Sequence, residues 1–259
     1  MIMKKGLIAS LTTLALLAGC GGITIHTGNK EVRNRPEEIA AIKTQLAIEY
    51  MNSHDYRAAV SAIEEALQVQ PRNENAWLVR AEIYQYLKVP EKAEESFQRA
   101  LSIKPDSAEI NNNYGWFLCN SGGRPNQALT YFDRALADPT YPSPQVAYMN
   151  KGICSARLGQ YNLAMAYLER SQAADPSFAP AQKEMARVRM MEGNLGEADR
   201  QFRQYQSKVD RLSADDLLLG WKIARTRGQT QAAYEYEAQL RTNYPYSPEL
   251  QEITTGRPQ

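Results

Sequence analysis

From about Glu37 onward, apolar residues recur at spacings of three and four. The clearest stretch runs from Trp77 to Pro105, with Trp77, Ala81 and Tyr84 in a first run, Ala93, Phe97 and Ala100 in a second, and Pro105 closing it. Such spacing gathers each set on one face of a helix, so the stretch predicts two amphipathic helices joined by a short turn. Ala81 and Ala93 are small enough to let the two helices approach closely where they cross. The same order returns along the chain. Alanines of the second helix fall at 59, 93, 128, 164, 198 and 232, in steps of 34, 35, 36, 34 and 34, and small residues of the first helix at Ala47, Ala81, Gly115, Gly152, Ala186 and Gly220. The pattern predicts an all-α chain of stacked helix pairs.

This alternation of large and small residues, ended by a proline, resembles the tetratricopeptide repeat with its period of about 34 residues. The 77–105 copy departs from that signature only at one leucine position, where Arg80 stands. The resemblance implies a right-handed superhelix of about six repeats, over residues 40–73, 74–107, 108–142, 145–178, 179–212 and 213–246. Lys43 replaces the opening aromatic residue of the first copy. Extra residues fall in the turn 121–125 and near 138–142, and the last copy ends near Pro245. Outer copies depart most from the pattern, as terminal capping units do.

The repeat pattern does not reach the N-terminus. Lys4 and Lys5 precede an apolar run from Leu7 to Leu17 that meets Leu17-Ala18-Gly19-Cys20. A basic start and a short apolar core match an export signal, and the last four residues resemble a bacterial lipobox. Residues 1–19 are therefore expected to be a lipoprotein signal peptide and Cys20 the acylated first residue of the mature chain. Gly21 stands where an inner-membrane retention signal would resemble Asp, so the expected location is the periplasmic face of the outer membrane. Two or more acyl chains suffice for stable anchoring. Residues 20–36 read as a polar lipidated tether and 37–259 as the repeat domain. Loss of residues 1–19 takes Lys plus Arg from 30 to 28 against 29 Asp plus Glu. That balance offers no counterion-release term, which argues against nucleic acid.

Neither His26 nor His54 has neighbours that suggest catalysis or metal binding, and no phosphate loop, nucleophile elbow or zinc motif occurs. No catalytic residue, metal, cofactor or small-molecule substrate is expected. Cys119 and Cys154 lie nearly one period apart, in first helices of successive repeats, so they are lateral neighbours. In an oxidising compartment a disulfide is favoured, with two buried thiols as the alternative. Projecting the first helices onto the concave surface places Tyr86, Asn112, Asn113, Trp116, Asn150, Ile153 and Arg157 in a polypeptide-binding groove. Asparagine offers both donor and acceptor to an extended backbone. Asn111-Asn112-Asn113 can equally be a helix-capping cluster, and Trp221 can pack against a capping helix instead of facing the groove.

Asn112-Asn113-Tyr114-Gly115-Trp116-Phe117-Leu118-Cys119, together with the lipobox and the repeat number, resembles the PilF/PilW family of type IV pilus biogenesis lipoproteins, the pilotins. The resemblance implies an outer-membrane lipoprotein that helps the pilus secretin localise or form multimers, or supports pilus stability. Its implied partners are the secretin or its assembly machinery, and the membrane through the lipid. The other reading is a general envelope repeat lipoprotein, either a β-barrel assembly accessory or an adaptor for a protease or peptidoglycan enzyme.

Overall fold

The computed structural model describes residues 29–256, so the signal peptide, Cys20 and the tether up to residue 28 lie outside the described residues. Among the described residues there are thirteen helices and no strand. They run α1 (Asn29–Asn52), α2 (Tyr56–Val69), α3 (Glu74–Tyr86), α4 (Pro90–Ile103), α5 (Ala108–Asn120), α6 (Pro125–Leu136), α7 (Pro144–Arg157), α8 (Tyr161–Ala174), α9 (Ala179–Met191), α10 (Leu195–Gln206), α11 (Ala214–Thr226), α12 (Thr230–Asn243) and α13 (Pro248–Thr255). Helices pair in sequence as six antiparallel hairpins, and α13 closes the end.

Local sequence sets the boundaries. Asp55, Asn73, Ser107 and Asn194 accept hydrogen bonds from the first turns of α2, α3, α5 and α10. Ser213 and Asp216 form a reciprocal capping box on α11. Proline occupies the first position of α4, α6, α7 and α13, where its missing N–H costs nothing. The turn after α7 needs a left-handed residue and has Gly159 at φ 73°. The equivalent turns after α1 and α3 make do with His54 at φ 62° and Lys88 at φ 56°, a conformation that strains a side chain.

Within each pair a bulky side chain of the second helix fills the space above a small residue of the first. Ile63, Phe97, Phe132, Leu168 and Phe202 are at most 1% exposed, and each buries on the order of 2–3 kcal/mol of transfer free energy. Rings link neighbouring pairs, with Phe97 5.3 Å from Tyr114 and 5.5 Å from Phe117, and within the third pair Tyr114 meets Tyr131 edge-on at 4.7 Å. Arg80, at the missing leucine position, earns its place by reaching across the α2–α3–α4 junction. It donates to Glu64 at 2.8 Å and Ser96 at 2.7 Å and lies over the rings of Trp77 and Tyr84. Lys43, at the missing aromatic position, pairs instead with Glu65 at 2.5 Å.

Three features differ from the sequence reading. Helix α1 begins at Asn29, so the part of the expected tether from Asn29 to Pro36 is helical. Periodicity failed there because Lys30, Glu31, Arg33 and Arg35 suit a helix without giving it an apolar face. At the other end, α13 is a helix that apolar spacing did not suggest. Ser247-Pro248-Glu249 is a start signal, and Leu250 packs with Leu217 and Leu240. In the sixth pair Ala233 is buried whereas Ala232, the periodic position, is only partly covered and lines a cleft with Phe202, Gly220 and Tyr236.

Candidate polypeptide-binding groove

The first helices present one face to the inside of the curve. A cleft of about 650 Å3 opens there, lined by Met51 of α1, by Glu82, Gln85 and Tyr86 of α3, by Asn112, Asn113, Trp116 and Asn120 of α5, and by Val146, Met149 and Asn150 of α7. A second cleft of about 380 Å3 continues it past Trp116 and Asn120 to Ile153, Arg157, Arg187 and Asp215. Every expected groove residue lines one or the other. Tyr86, Asn112, Asn113 and Asn150 belong to the first, Ile153 and Arg157 to the second, and Trp116 to both. Leu78 of α3 and Leu217 of α11, also on first helices, are core residues. Val146, at the start of α7, was missed because the insertion before that helix displaces the repeat spacing.

The asparagines are not independent grips. Asn150 Nδ2 donates to Asn112 Oδ1 at 3.1 Å, Asn112 Nδ2 to Asn113 Oδ1 at 3.1 Å, and Asn113 Nδ2 to Glu82 Oε1 at 2.9 Å. This relay crosses three repeats. Asn112 and Asn150 are buried, at 4% and 7% exposure, so their first task is to join α5 to α7 and to α3 through polar groups that burial obliges to pair. The capping alternative does not hold for this cluster: Ser107 caps the helix, and Asn111 donates to the carbonyls of Pro105 and Ser107, both at 2.8 Å. Tyr86, exposed and stacked on Tyr56 with centroids 5.8 Å apart, and half-buried Trp116 remain available as apolar anchors.

Behind Trp116 the two cysteines are joined. Cys119 and Cys154 form a disulfide between α5 and α7 with their Cα atoms 6.0 Å apart, inside the range such a bridge requires. Arg157 fastens the same junction by donating to the Cys119 carbonyl and to Asn120 Oδ1, both at 2.8 Å, with its guanidinium near the Trp116 ring. Trp221 pairs with Arg225 in a cation–π contact and stands apart from the Leu217, Leu240 and Leu250 cluster that seats α13.

Glu82 lines the cleft in a role that spacing did not suggest. Burial, with help from Glu109, pushes its carboxyl up to about 7, and the Asn113 hydrogen bond offsets only part of the rise. Between the unfolded value near 4.5 and about 7 the native state therefore holds a proton that the unfolded chain has lost. Its contribution to stability is full at low pH and lost as pH rises through that window. Glu82→Gln is expected to raise stability by about 1–2 kcal/mol at pH 8, discounted for partial solvent access, and to change little at pH 4. Urea unfolding midpoints at the two pH values check this; equal midpoints for both proteins at pH 8 would contradict the assigned environment.

Comparison with known proteins agrees with this architecture. A family profile described as the tetratricopeptide repeat protein 21 N-terminal ARM repeat matches residues 30–199. The crystal structure of PilW, a widely conserved type IV pilus biogenesis factor, is 65% identical, with a TM-score of 0.75, over 84% of this chain and 99% of that one. The type IV pilus assembly protein PilF of Pseudomonas aeruginosa is 28% identical over 209 residues, 81% of this chain and 82% of its own length. A structure of Pseudomonas aeruginosa PilF superposes with a TM-score of 0.68 at 26% identity, over 86% of this chain and all of that one. With the helix that carries Asn112 to Cys119 lining the groove and this degree of likeness to PilW, the chain belongs to the PilF/PilW family of tetratricopeptide-repeat proteins of type IV pilus biogenesis.

Proposed function

We propose that the protein is a scaffold, anchored by lipid on Cys20 to the periplasmic face of the outer membrane, whose inner groove holds a segment of the pilus secretin or its assembly machinery. The likeness to PilW carries the pilus assignment. The Leu17-Ala18-Gly19-Cys20 sequence supports the anchor, and the clefts, lined by anchors and hydrogen-bonding groups rather than by a nucleophile and base, support binding without catalysis. Among the described residues no group of three or more His, Cys, Asp or Glu side chains converges to hold a metal. Stacked repeats offer an extended surface of the kind that takes up polypeptide.

The test is a deletion strain complemented by wild type, by Cys20→Ala and by the double variant Tyr86→Ala with Trp116→Ala. Wild type is expected to restore surface pili and heat-resistant secretin multimers. Cys20→Ala should lose palmitate labelling and outer-membrane fractionation, since no other side chain forms the thioether. The double variant should keep its helicity and lose multimers. Normal pili and multimers in the deletion strain would overturn the secretin role and favour a general envelope adaptor.

A further inference from the structure

The larger cleft contains a single ionisable acid and no cation. Glu82 faces it from α3 and accepts one hydrogen bond, from Asn113. The other walls are uncharged: α1 contributes Met51, α7 contributes Val146, Met149 and Asn150, and the charged group acting on Glu82 from α5 is Glu109, which has the same sign. An ionised carboxylate only accepts, so its presence fixes the direction in which the three asparagine amides point, all toward Glu82. Dipoles aligned across three repeats thus end on a half-buried acid that has no counter-charge among the described residues. A carboxylate in such a place is costly unless a cation is brought to it. The apolar surfaces of Tyr86 and Trp116 line the same space.

We propose that this cleft receives a lysine or arginine side chain of an extended polypeptide, which pairs with Glu82 while an adjacent apolar side chain packs on Trp116 and Tyr86. The inference rests on the inner groove being the polypeptide site, and adds what that site selects. A cation desolvated against an otherwise unpaired carboxylate gives discrimination as well as affinity, because a neutral or acidic residue at that position leaves the acid unpaired.

The experiment uses the whole mature chain and pools of immobilised ten-residue peptides, each pool having one fixed central residue (Lys, Arg, Gln, Leu or Glu) and degenerate neighbours. Lys and Arg pools are expected to bind about tenfold more tightly than the others at pH 8. The preference should shrink at pH 6, where Glu82 is protonated. Glu82→Gln, which keeps an acceptor for Asn113, should retain weak binding to all pools and lose the preference. Equal binding of all pools to wild type, or an undiminished preference in Glu82→Gln, overturns the cation site and leaves the groove reading intact. Absence of binding by every pool, or binding that Trp116→Ala leaves unchanged, overturns both.

Discussion

Gly152→Leu should be one of the most damaging single substitutions in the stack, lowering stability by about 3 kcal/mol or more. A Cβ at residue 152 would already stand 2.9 Å from Leu168 Cγ and 3.1 Å from the Ala164 carbonyl oxygen. Leu168 is fully buried and the oxygen belongs to the backbone of α8, so neither can yield without moving the helix. At Gly115 and Gly220 the closest atoms are on the rings of Phe132 and of Phe202 and Tyr236, at 2.7–2.9 Å. Gly220→Leu should be comparably costly, because the partly buried Tyr236 can swing but Phe202, 2.7 Å away, is fully buried and cannot. Gly196 supplies the control: nothing lies within 4 Å of its notional Cβ, so Gly196→Ala in α10 should be neutral or stabilise by up to about 1 kcal/mol. Denaturant midpoints for the three variants test the register of the whole repeat. A Gly152→Leu protein as stable as wild type would show that α7 and α8 do not cross at that residue.

Breaking the Cys119–Cys154 bridge is the second large effect. The bond closes a loop with a sequence separation of 35, for which loss of the constraint on the unfolded chain amounts to about 2–4 kcal/mol. Both residues are buried, at 3% and 0% exposure, so the reduced thiols can stay in place as small apolar groups and the fold should survive reduction with lower stability. Non-reduced protein should resist alkylation at both positions and give one cross-linked peptide, while reductant should lower the unfolding midpoint. The Cys119→Ala, Cys154→Ala double variant should behave like reduced wild type in either buffer. Identical midpoints with and without reductant would remove any stabilising role for the bridge.

Much of this could be read before the structure, because a repeat tests its own reading. One alanine proves nothing, but Ala59, Ala93, Ala128, Ala164 and Ala198 at nearly constant steps fix a period, and all five are fully buried. The ends escaped for the same reason. A periodic argument assumes a neighbour on each side, and Ala232 and α13 lie where the last neighbour is a single short helix rather than another pair. The groove residues were legible as positions, since the first helices repeat, but their chemistry was not. Which atom of Asn112 meets Asn150, and that Glu82 ends the relay, depends on contacts between residues 31 and 38 apart in sequence, which spacing along one helix does not determine.

The bridge between α5 and α7 also decides how the molecule would respond to tension. A superhelix pulled by its two ends lengthens like a spring and then unravels repeat by repeat, because each contacts only its neighbours. Here the force would pass from Cys119 directly to Cys154, and α6, its flanking turns and α7 as far as Ile153 would carry none of it. About 120 Å of contour is thereby withheld from extension for as long as the sulfur–sulfur bond lasts. In a single-molecule trace the oxidised chain should come up short by that length, and the layer behind Trp116 should be the last to open.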